Sequence, residues 1–181
     1  MHQIEGGAAI DRDRGRRAAI ENIVILQASP LRVWSVLTDF AGHPRWKPFT
    51  QLSGAAVEGG GATYSFRIGG LGKPATSAAD IIRVDKPYAF AWTAGLAKLM
   101  LFEESYELER SPTGTRLRHS LRFHGRLAGV CTALLRRKLQ AGLVQSDRCL
   151  ERHLRRLAAQ PGVRSTPSPA LHGGRKPRRH K

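Results

Sequence analysis

Glu104 and His119 are the two residues whose chemistry does not suit the pattern around them. Met100, Phe102, Glu104, Tyr106 and Leu108 alternate with Glu103, Ser105, Glu107 and Glu109, while Leu117, His119, Leu121 and Phe123 alternate with Arg116, Arg118, Ser120 and Arg122. Successive strand residues point to opposite faces, so a carboxyl and an imidazole each fall on an otherwise apolar face. A carboxylate among Met100, Phe102 and Tyr106 needs a partner to stay ionised, and a neighbouring imidazole can stabilise it. Such a pair can orient the polar end of a bound molecule, or work as a general acid and base on a poly-carbonyl chain. The competing readings are an internal salt bridge and a register slip of one residue, which would turn both side chains outward.

Other chemistries fail on spacing. Gly69-Gly70-Leu71-Gly72-Lys73-Pro74 lacks the glycine spacing of a phosphate loop and the Ser/Thr after its lysine, so it reads as a turn. The histidines, His43, His119, His124 and His153 among them, form no pair at ligand spacing with a Cys or carboxylate partner. Neither a metal nor another cofactor is therefore expected. A Gly-x-Ser-x-Gly elbow and a Cys/His nucleophile arrangement are also missing.

The elements that must position the pair can be read from periodicity and punctuation. Residues up to about Ala19 mix Gly, Asp and Arg without period and read as a flexible lead-in. Ile20 to Gln27, with the β-branched run at Ile23 to Leu26, reads as a first, buried strand. Ser29-Pro30 is a strong helix start, and Leu31, Val33, Trp34, Val36 and Leu37 give a short amphipathic helix ending at Thr38-Asp39-Phe40, with Trp34 assigned to its packing. His43-Pro44-Arg45-Trp46-Lys47-Pro48-Phe49 is a proline-constrained connection, a way to build one wall of a cavity. Strands follow at Leu52 to Val57 and Thr63 to Ile68, separated by Gly59-Gly60-Gly61, and another ends near Val84. Tyr88, Phe90 and Trp92 share a face of the next, and the Glu104 and His119 strands close the series. Hairpin-length links make the sheet antiparallel. From about Leu127 to Ala158 the period becomes helical, with Leu135, Leu139, Leu143, Ser146, Leu150, Leu154 and Leu157 on the stripe that packs on the sheet.

The 181 residues, 41% of them hydrophobic, suit one domain with a real core. The expected organisation is a flexible segment over 1–19, a folded domain over 20–158 and a disordered Arg-rich tail over 159–181. No apolar stretch approaches the ~20 residues of a membrane span, and the first residues lack the apolar core of a secretory signal. Cys131 and Cys149 lie ~27 Å apart on one helix, too far to bridge, and two free thiols fit a reducing, cytoplasmic compartment. The net charge of +16 is concentrated in the tail and on the long helix. It permits non-specific binding to nucleic acid or anionic membrane, although Arg in excess of Lys with abundant Ala and Gly also reads as the signature of a GC-rich genome.

This order of elements, with Ala28-Ser29-Pro30, Val33-Trp34, Asp39-Phe40, Pro44, Trp46 and Pro48-Phe49 in the opening segment, resembles the START-like superfamily. Within it, the polyketide cyclase/dehydrase and lipid-transport type is the most similar. Phe102-Glu103-Glu104 and Thr115-Arg116-Leu117-Arg118-His119, through Phe123 and Gly125, match as well. Where that family often carries Asn between Trp and Pro, this chain has Lys47. The resemblance implies an α+β helix-grip fold, in which a curved antiparallel sheet of about seven strands wraps a long C-terminal helix, with two short helices after the first strand. It implies an apolar cavity for a lipid, polyketide or aromatic compound, lined by inward residues: Trp46, Phe49, Tyr64, Phe66, Phe90, Trp92, Phe102, Tyr106, Leu121, Phe123 and Leu143, with Glu104 and His119 at its polar point. The expected function is binding or carriage of a hydrophobic small molecule. The alternatives are a cyclase/aromatase-type enzyme and a binder of nucleic acid or anionic membrane through the basic helix and tail. Oligomeric state is not readable from the sequence.

Overall fold

The computed structural model describes residues 19–47, 49–66, 74–96 and 98–160. Strand β1 (Ile20–Leu26) leads to helix α1 (Pro30–Thr38), whose start is capped as expected: the Ser29 hydroxyl accepts the Arg32 N–H at 3.3 Å. A 3-10 helix (Phe40–Arg45) follows, opened by the Asp39 carboxylate on the Gly42 N–H. Then come β2 (Thr50–Gly54), β3 (Gly61–Phe66), β4 (Ala75–Asp85), β5 (Ala89–Leu96), β6 (Met100–Ser111), β7 (Gly114–His124) and the long helix α2 (Ala128–Ala159). The two short helices after β1 stand where the resemblance puts them.

The strands form one antiparallel sheet in the order β1-β7-β6-β5-β4-β3-β2. Every neighbour but β1–β7 is also a neighbour in sequence, so hairpins build the sheet and the first strand joins the last across one edge. Helix α2 lies against β1 and β7, and α1 packs on β5, β6 and β7 from the opposite end of the chain. Phe90 and Trp92 of β5, Val33 and Leu37 of α1, Leu117 of β7, and Leu150 and Leu154 of α2 meet in the main core. A smaller cluster joins Ile20, Leu121 and Leu143, with Phe102 and Leu139 against it. On the outer face of β6 and β7, the charges pair across the strands in register: Glu103 with Arg122, Glu107 with Arg118 and Glu109 with Arg116.

Four expectations need correction. The first strand is buried on one face only: Ile23 and Ile25 are exposed, because strand alternation turns them away from the core that Ile20 and Leu26 enter. The second strand is Thr50–Gly54 instead of Leu52 to Val57: Gly54 has a φ of 120°, and Ala55 to Gly60 close a turn in which the Gly60 N–H bonds the Val57 carbonyl. Tyr88 lies outside β5 and is exposed, because its N–H closes a turn onto the Asp85 carbonyl. The inward stripe of α2 begins later than the leucine spacing suggests. Leu135 is exposed, Leu139 is half-buried and full burial starts at Leu143, where the helix meets Ile20 of β1 and Leu121 of β7. The glycine-rich turn from Gly69 to Lys73, the lead-in before Ala19 and the tail after Gln160 lie outside the described residues.

Candidate functional site

A buried polar network sits where β6, β7, β1, α2 and the segment after the 3-10 helix converge. The strict alternation of β6 turns Glu104 and Tyr106 inward, and β7 places His119 opposite Tyr106. The Trp46-Lys47 bend after Pro44 carries the Lys47 ammonium to the same point. Its Nζ donates to both Glu104 oxygens at 2.7 and 2.9 Å and to the Tyr106 hydroxyl at 2.9 Å. Tyr106 in turn donates to Glu104 Oε1 at 2.6 Å. A carboxylate only accepts, so His119 presents N–H on both sides: Nε2 to Glu104 Oε1 at 2.8 Å and Nδ1 to Asp147 Oδ1 at 2.7 Å. Asn22 of β1 donates to the other Asp147 oxygen at 2.6 Å.

Two cations and two carboxylates are thus matched inside the protein, with Glu104 and His119 only 4% and 1% exposed. Burial opposes charge on Glu104, but Lys47 and then His119 outweigh it and hold the carboxyl below its usual range. Burial likewise opposes charge on His119, and Asp147 together with Glu104 reverses the balance and raises its pKa. The Tyr106 phenol is pushed well up by burial and by the Glu104 charge, so it stays a donor. Tyr64 is raised for the same two reasons.

Above this floor lies a cavity of about 230 Å³, open on one side. Glu104, His119 and Lys47 form its polar end. Tyr64, Phe102, Leu121, Leu139 and Leu143 form apolar walls, and Phe49, Thr50, Lys138, Gly142 and Ser146 complete it. Ser146 is buried, yet its hydroxyl has no hydrogen-bond partner among the described residues. Glu104 Oε2 accepts only from Lys47 among those residues, which leaves one of its lone pairs unused.

Of the residues expected to line a pocket, Phe49, Tyr64, Phe102, Leu121 and Leu143, with Glu104 and His119, border this cavity. Others stand behind it. Trp92 is fully buried against Tyr64 and Phe102, Phe90 packs between Phe40 and Tyr106, and Phe66 stacks on Tyr64. Phe123 backs Phe102, Trp46 packs edge-on to His43, and Tyr106 acts through its hydroxyl beneath the floor. Lys47 and Asp147 were not among the expected site residues. The signal for Asp147 is its place beside Ser146 on the buried stripe, as the one acid between Glu109 and Glu151. Lys47 offers less, since a lysine in a proline-rich connection ordinarily points to water. His119 has a carboxylate on each ring nitrogen, which leaves neither free to ligate a metal.

A long helix gripped by a seven-stranded antiparallel sheet, with a cavity between them, defines a START-like helix-grip domain. The chain belongs to the polyketide cyclase/dehydrase and lipid transport family, whose model matches residues 17–160. No curated protein matches it in sequence. Solved structures resemble it at low identity. A protein from Nitrosomonas europaea is 16% identical, with a TM-score of 0.64 over 79% of this chain and 97% of that one. A Mycobacterium smegmatis protein is 18% identical, with a TM-score of 0.62 over 79% and 94%. DynU16, described as a putative protein in the dynemicin biosynthetic locus, is 19% identical, with a TM-score of 0.59 over 76% of this chain and 47% of that one. At these identities the likeness speaks to the fold. Among the described residues, no helix is long and apolar enough to cross a membrane.

Proposed function

We propose that the protein binds a small hydrophobic molecule bearing a hydroxyl group, with its apolar body between Phe102, Leu121 and Leu143 and its hydroxyl at the Glu104 end. The observation that carries this reading is that the unpartnered Ser146 hydroxyl and the spare Glu104 lone pair border one cavity whose body is walled by apolar side chains. A hydroxyl both donates and accepts, so it can satisfy the two together, whereas a hydrocarbon leaves both unmet. Size supports a modest ligand. An apolar cavity of ~150 Å³ holds benzene, so about 230 Å³ suits a buried portion of roughly nine or ten heavy atoms, the size of a bicyclic aromatic.

Carriage fits the network better than catalysis. A general base works best with a pKa near the working pH, and Glu104 is held in the opposite direction. Every proton of Lys47 and both of those on His119 are already given to protein acceptors. Proton donation by Lys47 or His119 in a cyclase-type reaction would have to break one of these bonds at each turnover.

Calorimetric titration with 1-naphthol and naphthalene tests the reading. The naphthol should bind about 5- to 20-fold more tightly, as expected for one hydrogen bond to a charged or buried group. Ser146→Ala should remove much of that preference while leaving naphthalene binding unchanged. Equal affinities for the two probes would reject the hydroxyl site, and failure of both to bind would reject the cavity as a binding site of this size.

A further inference from the structure

The first turns of α2 break the pattern that the rest of the helix obeys. Leu143, Ser146, Leu150 and Leu154 form its buried stripe. At ~100° per residue, Leu127, Val130 and Leu134 form a second stripe roughly 170° away from the first. These three are 44%, 60% and 77% exposed. Beside them, the β5–β6 turn holds Leu96, Leu99 and Met100, which are 67%, 46% and 37% exposed. The two segments are held together: the Leu127 N–H bonds the Leu99 carbonyl at 3.1 Å, and Cys131 Sγ lies 3.2 Å from Met100 Sδ. Six apolar side chains therefore share one end of the molecule, a grouping that isolated surface hydrophobics do not explain.

The charges around this patch have one sign. Lys98 and Arg126 flank the turn, and Arg137 and Lys138 follow on either side of the stripe along α2. No acid occurs from Gly125 through Ser146. The neighbouring acid on β6, Glu103, is engaged by His124 at 2.8 Å and Arg122 at 3.8 Å. Lys138 also borders the cavity.

We propose that this end of the molecule docks on an anionic lipid bilayer, the apolar stripe entering the headgroup boundary and the cations meeting acidic lipid. An apolar face beside Lys and Arg is the composition that interfacial helices use. A second copy of the chain fits less well, because a two-fold contact would set the cationic flanks against their own copies.

The test is co-sedimentation of the full chain with phosphatidylcholine vesicles, with and without about 30% phosphatidylserine, at low and high salt. Binding should require phosphatidylserine and weaken with salt. Val130→Asp with Leu134→Asp should lower it at least about tenfold, since both side chains are exposed and their replacement leaves the core intact. Val130→Ser with Leu134→Ser, which adds no charge, should give a smaller loss in the same direction. Unchanged binding by both double variants would move the interaction to the Arg-rich tail and overturn the proposal. So would failure of the parent to bind, or a dimer in place of vesicle binding that the aspartate variant dissociates.

Discussion

Lys47 directs its ammonium protons to the Glu104 carboxylate and the Tyr106 hydroxyl, and the side chains of the ion pair are each 5% exposed. At that burial, removal of one partner strands a charge in low dielectric, which costs about 3–5 kcal/mol, whereas exposed pairs such as Arg116–Glu109 are worth about 0–1 kcal/mol. Glu104→Gln should therefore lower the urea midpoint strongly, and addition of Lys47→Met should recover part of the loss by removing the stranded ammonium. Additive losses in the double variant would show that the two residues do not act as a pair. The inward placement of Glu104 and His119 was legible, because strand alternation depends only on sequence period. Their partners were not legible in the same way. Lys47 reaches the floor because the 3-10 helix and its Pro44 bend the chain inward, and Asp147 arrives from an element 28 positions beyond His119.

At the scale of elements, α2 does two jobs along its length, which explains why leucine spacing alone misplaced its contact. Local periodicity marks an apolar stripe but not which of its positions the strands cover, so Leu135 and Leu143 look alike in sequence and differ in burial. The strands were more legible, since hairpin turns punctuate them and the β1–β7 pairing was the only long-range step in the sheet order. Gly142 gives an element-scale test of the cavity. It sits in the middle of α2, borders the cavity, and a Cβ built there meets nothing within 4 Å. Gly142→Ala should stabilise the fold by about 0.5–1 kcal/mol through helix propensity. Gly142→Phe should instead fill the open space and weaken 1-naphthol binding at least tenfold with little change in the urea midpoint. If the phenylalanine variant binds the probe as the parent does, the probe does not occupy the space beneath Gly142.

For the whole molecule, two buried histidines and one buried carboxyl set opposing limits on stability. His119 has a raised pKa despite its burial, so its contribution is complete below the unfolded value of 6.5 and is lost as pH rises through the folded value. His43 is shifted the other way, from 6.5 to about 4, chiefly by burial and then by Lys47; its Nε2–H donates to the Leu37 carbonyl. The neutral ring suits the fold, so the contribution of His43 is present above 6.5 and is lost as pH falls towards 4. Glu104, held below its usual 4.5, adds a loss at still lower pH. These groups together predict a stability maximum near pH 6.5. The net charge of +16 pulls against the alkaline limb, because self-repulsion eases as the pH rises and basic groups lose protons. Salt separates the two effects: at about 1 M the Debye length falls to ~3 Å, which screens the surface charges but reaches a buried cluster far less. Thermal unfolding at high salt should therefore show Tm declining above pH 6.5 in the parent. His119→Gln should flatten that decline, and His43→Gln should flatten the fall between pH 6.5 and 4 while leaving the Glu104 limb below it. A parent whose Tm at high salt rises steadily from pH 6.5 to 9 would mean that His119 is not charged in the fold.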